Sequence, residues 1–288
     1  MTIKVILVPV TATETGASAL KTAFALGRRF EAHVAALHVR ADPRNALLYM
    51  GEGMSGIVLQ EIMAAAERDA IERARNARAM FEAAVKESAV PLLDAPSKPG
   101  RFSAHWREDV GREDELVAKR ARLADVVVVG PQPARQSAAV GLMMEAALLE
   151  SGRPVLVAPP EGTASAGGNV AVAWNGSVES ARAVASGMPF LRAAERVALL
   201  AVGEDEEAKN GIDSLKQYLA WHAIAADAVV VAPGADGIGA AILSETKRLG
   251  SDLLVMGAYT HNRFRQMIFG GVTRHILSEA HLPVLVAH

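Results

Sequence analysis

The chain has 288 residues, 51% of them hydrophobic, no cysteine, and a formal net charge of −2. The absence of cysteine excludes disulfides, thiolate metal sites and cysteine nucleophiles. The small negative charge argues against nucleic acid as a partner, because neutralising phosphates requires a basic face. The first apolar run, Ile3 to Val10, is too short to span a membrane, and we expect a cytoplasmic protein with no membrane partner.

Short apolar runs alternate with helical patterns along the first half of the chain. Strands are predicted at Ile3–Val10, Glu31–Val39, Phe102–Val110, Asp125–Gly130 and Pro154–Ala158, and helices at Glu14–Phe30, Met54–Lys86, Arg112–Leu123 and Leu142–Glu150. Continuous apolar runs of this length are typical of strands that are covered on both faces. The alternation therefore predicts βα units and a parallel sheet.

The second half repeats this order. Strands are predicted at Asn169–Trp174, Arg196–Val202, Ala226–Val231, Asp252–Gly257 and Pro283–Ala287, and helices at Val178–Leu191, Glu206–Ile224, Gly239–Leu249 and Gly271–Glu279. The last two strands of each half are also similar in sequence, since DVVVVG and RPVLVA in the first half match DLLVMG and LPVLVA in the second. This ordered recurrence indicates a duplication.

A segment rich in proline, glycine and small residues separates the two halves, and it reads as a linker. We therefore predict a domain at residues 1–160, a linker at 161–168 and a second domain at 169–288. The predicted fold class is α/β, with two tandem doubly wound domains. Each is a Rossmann-like, five-stranded, mainly parallel sheet with helices on both faces.

Ligands of doubly wound sheets bind beyond the carboxyl ends of the strands, so the loops after the first and fourth strands are the ones to inspect. In the second half, Gly257 ends the fourth strand and Gly270 with Gly271 begins the next helix. The free amides at a helix start suit an anion, and glycine lets a phosphate approach the backbone. The alternative is an ordinary pair of glycines at the start of a helix.

This segment resembles the nucleotide loop of the universal stress protein family, whose ATP-binding members carry Gly-x2-Gly-x9-Gly-Ser/Thr. Gly257 and Gly270 fall on the first and third glycines of that pattern, whereas Thr260 takes the second glycine position and Gly271 takes the Ser/Thr position. The resemblance covers most of the chain in element order and is sharp only in the second half. It implies a fold of the adenine-nucleotide α-hydrolase type and ATP, with magnesium, as the ligand.

The resemblance also implies that Asn175, at the end of the first strand of the second half, takes the place of an aspartate that faces adenine. Asn175 is equally consistent with a turn or a helix N-cap. The nucleotide-binding residues that follow from the resemblance, with no catalytic or metal-binding residue among them, are Ala173, Asn175, Val202, Met256, Gly257, Tyr259, Thr260, Gly270, Gly271 and Val272.

The first half departs from the family pattern. Gly130 is followed by Pro131 and Pro133, which lack backbone donors, and the spacing to Gly141 is too short. We expect this half to be a degenerate copy with a structural or pairing role. The tandem arrangement resembles that of two-domain members of the family. This resemblance implies that the two halves pack as a pseudo-dimer, with their final strands as candidate pairing edges, and by analogy that the chain forms a homodimer.

Motifs of dedicated enzymes are absent: the sequence has no P-loop, no dinucleotide fingerprint, no nucleophile elbow and no HExxH. Together with the resemblance, this absence favours a non-enzymatic stress-response protein that binds ATP or a related adenine nucleotide in its second half. Two alternatives remain open. One is a nucleotide-free interaction module, suggested by Thr260, Gly271 and Asn175. The other is a slow ATPase using Asp236 and the basic residues of the loop.

Overall fold

The two halves of the chain form one continuous ten-stranded sheet in this computed structural model. The structure describes residues 2–42, 56–96, 101–131, 138–203, 206–232, 234–258 and 270–288. The strand order is β3-β2-β1-β4-β5-β10-β9-β6-β7-β8. Each half thus has the order 3-2-1-4-5, and all pairs within a half are parallel. The predicted α/β fold is confirmed.

The strands and helices agree closely with the sequence patterns. The strands are β1 (Val5–Pro9), β2 (His33–Arg40), β3 (Ser103–Val110), β4 (Val126–Val129), β5 (Val155–Val157), β6 (Asn169–Ala173), β7 (Arg196–Val202), β8 (Asp227–Val231), β9 (Leu253–Gly257) and β10 (Val284–Ala287). The helices are α1 (Glu14–Phe30), α2 (Gly56–Ser88), α3 (Glu113–Ala121), α4 (Ala138–Glu150), α5 (Val178–Ala193), α6 (Glu206–Trp221), α7 (Ile238–Arg248) and α8 (Gly271–Glu279). Helix α4 begins four residues before its predicted start.

The halves meet where β5 and β10 pair antiparallel, with Leu156 opposite Leu285. The predicted pairing of the two final strands is therefore confirmed. On one face of the sheet, Phe30 of α1 and Phe190 of α5 make an edge-to-face contact with ring centroids 5.1 Å apart. The seam is also held by Arg29, whose guanidinium donates to the carbonyls of Gly167 and Ala193 at 2.8 and 2.6 Å.

The core consists of two layers, one on each face of the sheet. Helices α1, α2, α5 and α6 cover one face, where Phe81 and Phe190 are fully buried. Helices α3, α4, α7 and α8 cover the other, around Met144 and Ile276. Because both faces are covered, the central strands carry apolar residues at every position.

An aspartate precedes the repeated apolar run in each half, and the structure shows its role. Asp252 accepts hydrogen bonds from the amides of Gly167, Gly168 and Asn169 at 3.0, 3.0 and 2.8 Å. Asp125 accepts from the amides of Lys4 and Val5 at 2.7 and 2.9 Å. Each carboxylate thus fixes the start of the first strand of its half against the fourth.

Candidate functional site

A cleft of about 390 Å³ opens at the carboxyl ends of β6, β7 and β9, between α7 and α8. This is the edge at which ligands of doubly wound sheets bind, and the volume lies within the range of small-molecule sites. The lining is mostly apolar, with Asn175 and Thr273 as its polar side chains beside Trp174. The full lining is Ala173, Trp174, Asn175, Leu200, Val202, Ile238, Ile242, Met256, Gly257, Gly270, Gly271, Val272 and Thr273.

The structure brings together at this cleft every sequence-predicted site residue that it describes. These are Ala173, Asn175, Val202, Met256, Gly257, Gly270, Gly271 and Val272. Tyr259 and Thr260 lie outside the described residues. The end of β9 at Gly257 and the start of α8 border the same cleft. Strand β9 lies beside β6, and α8 is the next described element after it in the chain.

Asn175 forms a turn with its own backbone neighbour. Its Oδ1 accepts a hydrogen bond from the amide of Ser177 at 3.2 Å, which is the Asx turn expected of asparagine in this position. The helix N-cap is Ser177, whose hydroxyl accepts from the amide of Ser180 at 3.1 Å. Asn175 is exposed, and its Nδ2 donor has no hydrogen-bond partner among the described residues, so it is available to a ligand.

Gly257, at the end of β9, is needed for the packing of the fold. A Cβ on Gly257 would lie 2.5 Å from the Ser180 amide nitrogen, so glycine is required there by the close packing of α5 against β9. Gly130 is in the same situation in the first half, where a Cβ would lie 2.5 Å from the Thr15 carbonyl oxygen. The Gly257 of the motif therefore has a packing reason that does not involve a ligand.

Gly270 and Gly271 have space around them, since a Cβ on either would have no atom of the described residues within 4 Å. Gly270 is the N-cap of α8, with φ −60° and ψ 149°, and it makes no side-chain capping bond. The first intrahelical bond runs from the Arg274 amide to the Gly270 carbonyl. The amides of the first turn thus point beyond the helix at the mouth of the cleft, where the helix dipole favours negative charge.

Five lining residues were not among the predicted site residues: Trp174, Leu200, Ile238, Ile242 and Thr273. Leu200 follows from strand periodicity, because it shares a face of β7 with Val202. Ile238 and Ile242 are one helical turn apart on α7, which approaches the cleft only through tertiary packing. Trp174 has its Nε1 buried with no partner in the described part of the chain, 3.5 Å from the position of a Cβ on Gly211.

The corresponding place in the first half carries charge. By strand register, Arg40 corresponds to Gly203, and by helix position Glu113, the first residue of α3, corresponds to Ile238. Burial, with a smaller effect from the Asp114 charge, raises the pKa of Glu113. Arg40 Nε lies 3.3 Å from Glu108 Oε1. Charged groups thus occupy positions that in the second half are apolar or carry no side chain.

Two further observations concern metal ligands and membrane-spanning helices in the described part of the chain. No three His, Asp or Glu side chains in this part of the chain are grouped so as to hold a metal ion. None of the described helices combines the length and apolarity needed to cross a bilayer.

Comparison with known proteins identifies the family of the second half. The family model "Universal stress protein family" matches residues 184–288. A universal stress protein from Archaeoglobus fulgidus DSM 4304 superposes with a TM-score of 0.68 at 16% identity, over 98% of this chain and 97% of that one. A protein of Pseudomonas aeruginosa PAO1, described as functionally unknown, superposes with a TM-score of 0.56 at 12% identity, over 99% and 92%.

At these identities the structural likeness shows the fold alone. A comparison with curated protein sequences finds no significant match. The family that the glycine pattern suggested is nevertheless confirmed for the second half, because the matched region includes β7 to β10 and the start of α8.

Proposed function

Because residues 184–288 form a universal stress protein domain, we propose that the chain is a non-enzymatic stress-response protein whose second half binds ATP or a related adenine nucleotide. The observation that carries this proposal is the cleft: its apolar walls lead to Gly270, Gly271 and Val272 at the start of α8, where the amides of the first turn have no intrahelical acceptor. An adenine ring suits the apolar walls formed by Val202, Met256 and Ile242, and the phosphates suit the helix start.

Each part of the nucleotide has a matching group. Asn175 Nδ2 is a free donor for an acceptor nitrogen of the base or for a ribose oxygen. The amides of Gly271 and Val272 are donors for phosphate oxygens. The described lining contains no charged side chain, so among the described residues the phosphates would be bound by backbone groups and the helix dipole. A magnesium ion accompanying ATP would reach this site on the phosphates.

Titration calorimetry of the full chain with ATP and magnesium tests the proposal. Ala173→Leu places a larger side chain into the cleft and is expected to abolish binding. Ala225→Leu is the matched control, since Ala225 is exposed and is not among the lining residues, and this variant is expected to bind as the parent does. Absence of binding by the parent at millimolar ATP would contradict the proposal and favour the nucleotide-free interaction module.

We place this function in the cytoplasm and in a homodimer, and we assign it to a domain at residues 169–288 joined by a linker at 161–168 to a non-binding domain at 1–160. The linker is tied to α1 by two bonds: Lys21 Nζ donates to the Glu161 carbonyl at 2.9 Å, and the Thr163 amide donates to Thr22 Oγ1 at 3.2 Å. Light scattering that shows only monomers would remove the homodimer from the proposal and leave the ligand unaffected.

A further inference from the structure

The sheet has two edges, and the first of them, β3, is protected. The segment after α2 covers its beginning, since the Leu93 amide donates to the Ala104 carbonyl at 2.9 Å and the Ala104 amide donates to the Pro91 carbonyl at 3.0 Å. Further along, Arg107 pairs with Asp109 at 3.0 Å. Covering segments and charged side chains are the usual means by which proteins prevent pairing at an edge.

In the described part of the chain, no segment covers the second edge, β8, and its only charged residue is Asp227 at its first position. Its register with β7, together with the bond from the Gly203 amide to the Val231 carbonyl at 3.1 Å, directs the backbone groups of Asp227, Val229 and Val231 towards β7. The amides and carbonyls of Ala228 and Val230 therefore point outwards. Both residues have exposed, uncharged side chains, and no described residue bonds to their backbone groups.

These outward groups match those of a second copy of the same strand. If two β8 strands meet antiparallel about a two-fold axis at Val229, Ala228 of each copy lies opposite Val230 of the other. This register pairs all five residues of β8. In each of the two Ala228–Val230 pairs, both outward amides donate to the carbonyls of the opposite residue. Asp227, the only charged residue of β8, then lies opposite Val231, so no like charges meet across the strands.

We propose that β8 is the dimerisation edge of this protein, where a second copy continues the ten-stranded sheet by antiparallel β8–β8 pairing. The inference rests on the homodimer proposed above and names its surface. Within the chain, β5 and β10 already join two halves of the same fold in this way with three residue pairs, and β8 offers five.

Because the chain contains no cysteine, a single introduced cysteine reports the pairing directly. Val229→Cys lies on the axis, where facing Cα atoms are about 4.5 Å apart, which a disulfide can span. Mild oxidation is expected to give a covalent dimer that thiols reverse. Val231→Cys is the matched control: it is on the same face of the same strand, but its copies would be about 13 Å apart or more, and it is expected to stay monomeric on denaturing gels.

A second pair of variants tests the hydrogen bonds. Ala228→Pro removes an outward amide of β8 without removing a bond to β7, and it is expected to convert dimers to monomers in light scattering while the fold is retained. Val110→Pro removes an outward amide at the end of β3 and is expected to leave the dimer intact. A parent protein that is monomeric refutes both the homodimer and this edge. A dimer that survives Ala228→Pro and shows no Val229→Cys cross-link refutes the edge alone.

Discussion

Helix α8 offers a substitution that removes one phosphate donor and leaves the helix in place. Gly271 is the first residue of α8, where proline is well tolerated because the amide has no intrahelical acceptor. The preceding residue, Gly270, has φ −60° and ψ 149°, which is the extended conformation that proline requires before it. Gly271→Pro therefore deletes a single donor at the mouth of the cleft.

The size of the effect follows from the bond that is lost. A hydrogen bond from an amide to a charged group contributes about 1.5–3 kcal/mol, so the dissociation constant of ATP is expected to rise roughly 10- to 150-fold. The fold is expected to gain about 0.4–1 kcal/mol of stability, because proline restricts the unfolded chain. Weaker ATP binding should thus accompany an unchanged or higher melting temperature.

Two controls isolate the amide. Gly271→Ala keeps the N–H, and its Cβ has no atom of the described residues within 4 Å, so it should bind ATP as the parent does. Adenosine lacks phosphates, so its affinity should be equal for the parent and Gly271→Pro. Calorimetry of the parent and both variants with each ligand measures these affinities. Equal ATP affinity of the proline and alanine variants would show that the helix start does not hold the phosphates.

Three further predictions concern stability. Asp252→Ala leaves three amides without their acceptor. It should lower the free energy of unfolding, measured by urea titration, by about 3 kcal/mol, and Asp252→Asn should lower it less. An alanine variant as stable as the parent would contradict this role of Asp252. Gly257→Ala should cost about 2 kcal/mol, since its Cβ would lie 2.5 Å from the Ser180 amide nitrogen, and a neutral result would mean that α5 shifts freely. His33 Nε2 and His105 Nδ1 are 2.7 Å apart. Burial lowers the pKa of both histidines, and the His105 charge lowers the pKa of His33 further. Below pH 6.5 the unfolded chain therefore binds more protons than the folded chain, and the free energy of unfolding should decrease as the pH is lowered. His105→Gln should flatten this slope in denaturation measured between neutral and mildly acidic pH, and a slope that stays unchanged would assign it to other groups.

The sequence predicted the fold well because two signals agreed. Buried strands on both faces of a sheet leave continuous apolar runs, and the duplicated order of DVVVVG and DLLVMG indicated two similar halves. The resemblance to two-domain members of the family implied that the final strands pair. The structure confirms this pairing, which joins the two halves into a single ten-stranded sheet.

The candidate site was predictable as far as it lies on strand ends. Val202 and Met256 were assigned through the resemblance to the family, and Gly270 with Gly271 through the pair of glycines at the start of a predicted helix. Ile238 and Ile242 were not predicted, because α7 reaches the cleft only through packing. The Gly257 signal was ambiguous for a physical reason: the same glycine is needed for the approach of α5, whether or not a ligand is bound.

The most direct test of the nucleotide site is a crystal structure of the full chain grown with ATP and magnesium. We expect one nucleotide per chain, with its base between Val202 and Met256 and its phosphates at the amides of Gly271 and Val272. A cleft without nucleotide at saturating ATP, or a nucleotide bound in the first half beside Glu113, would contradict it.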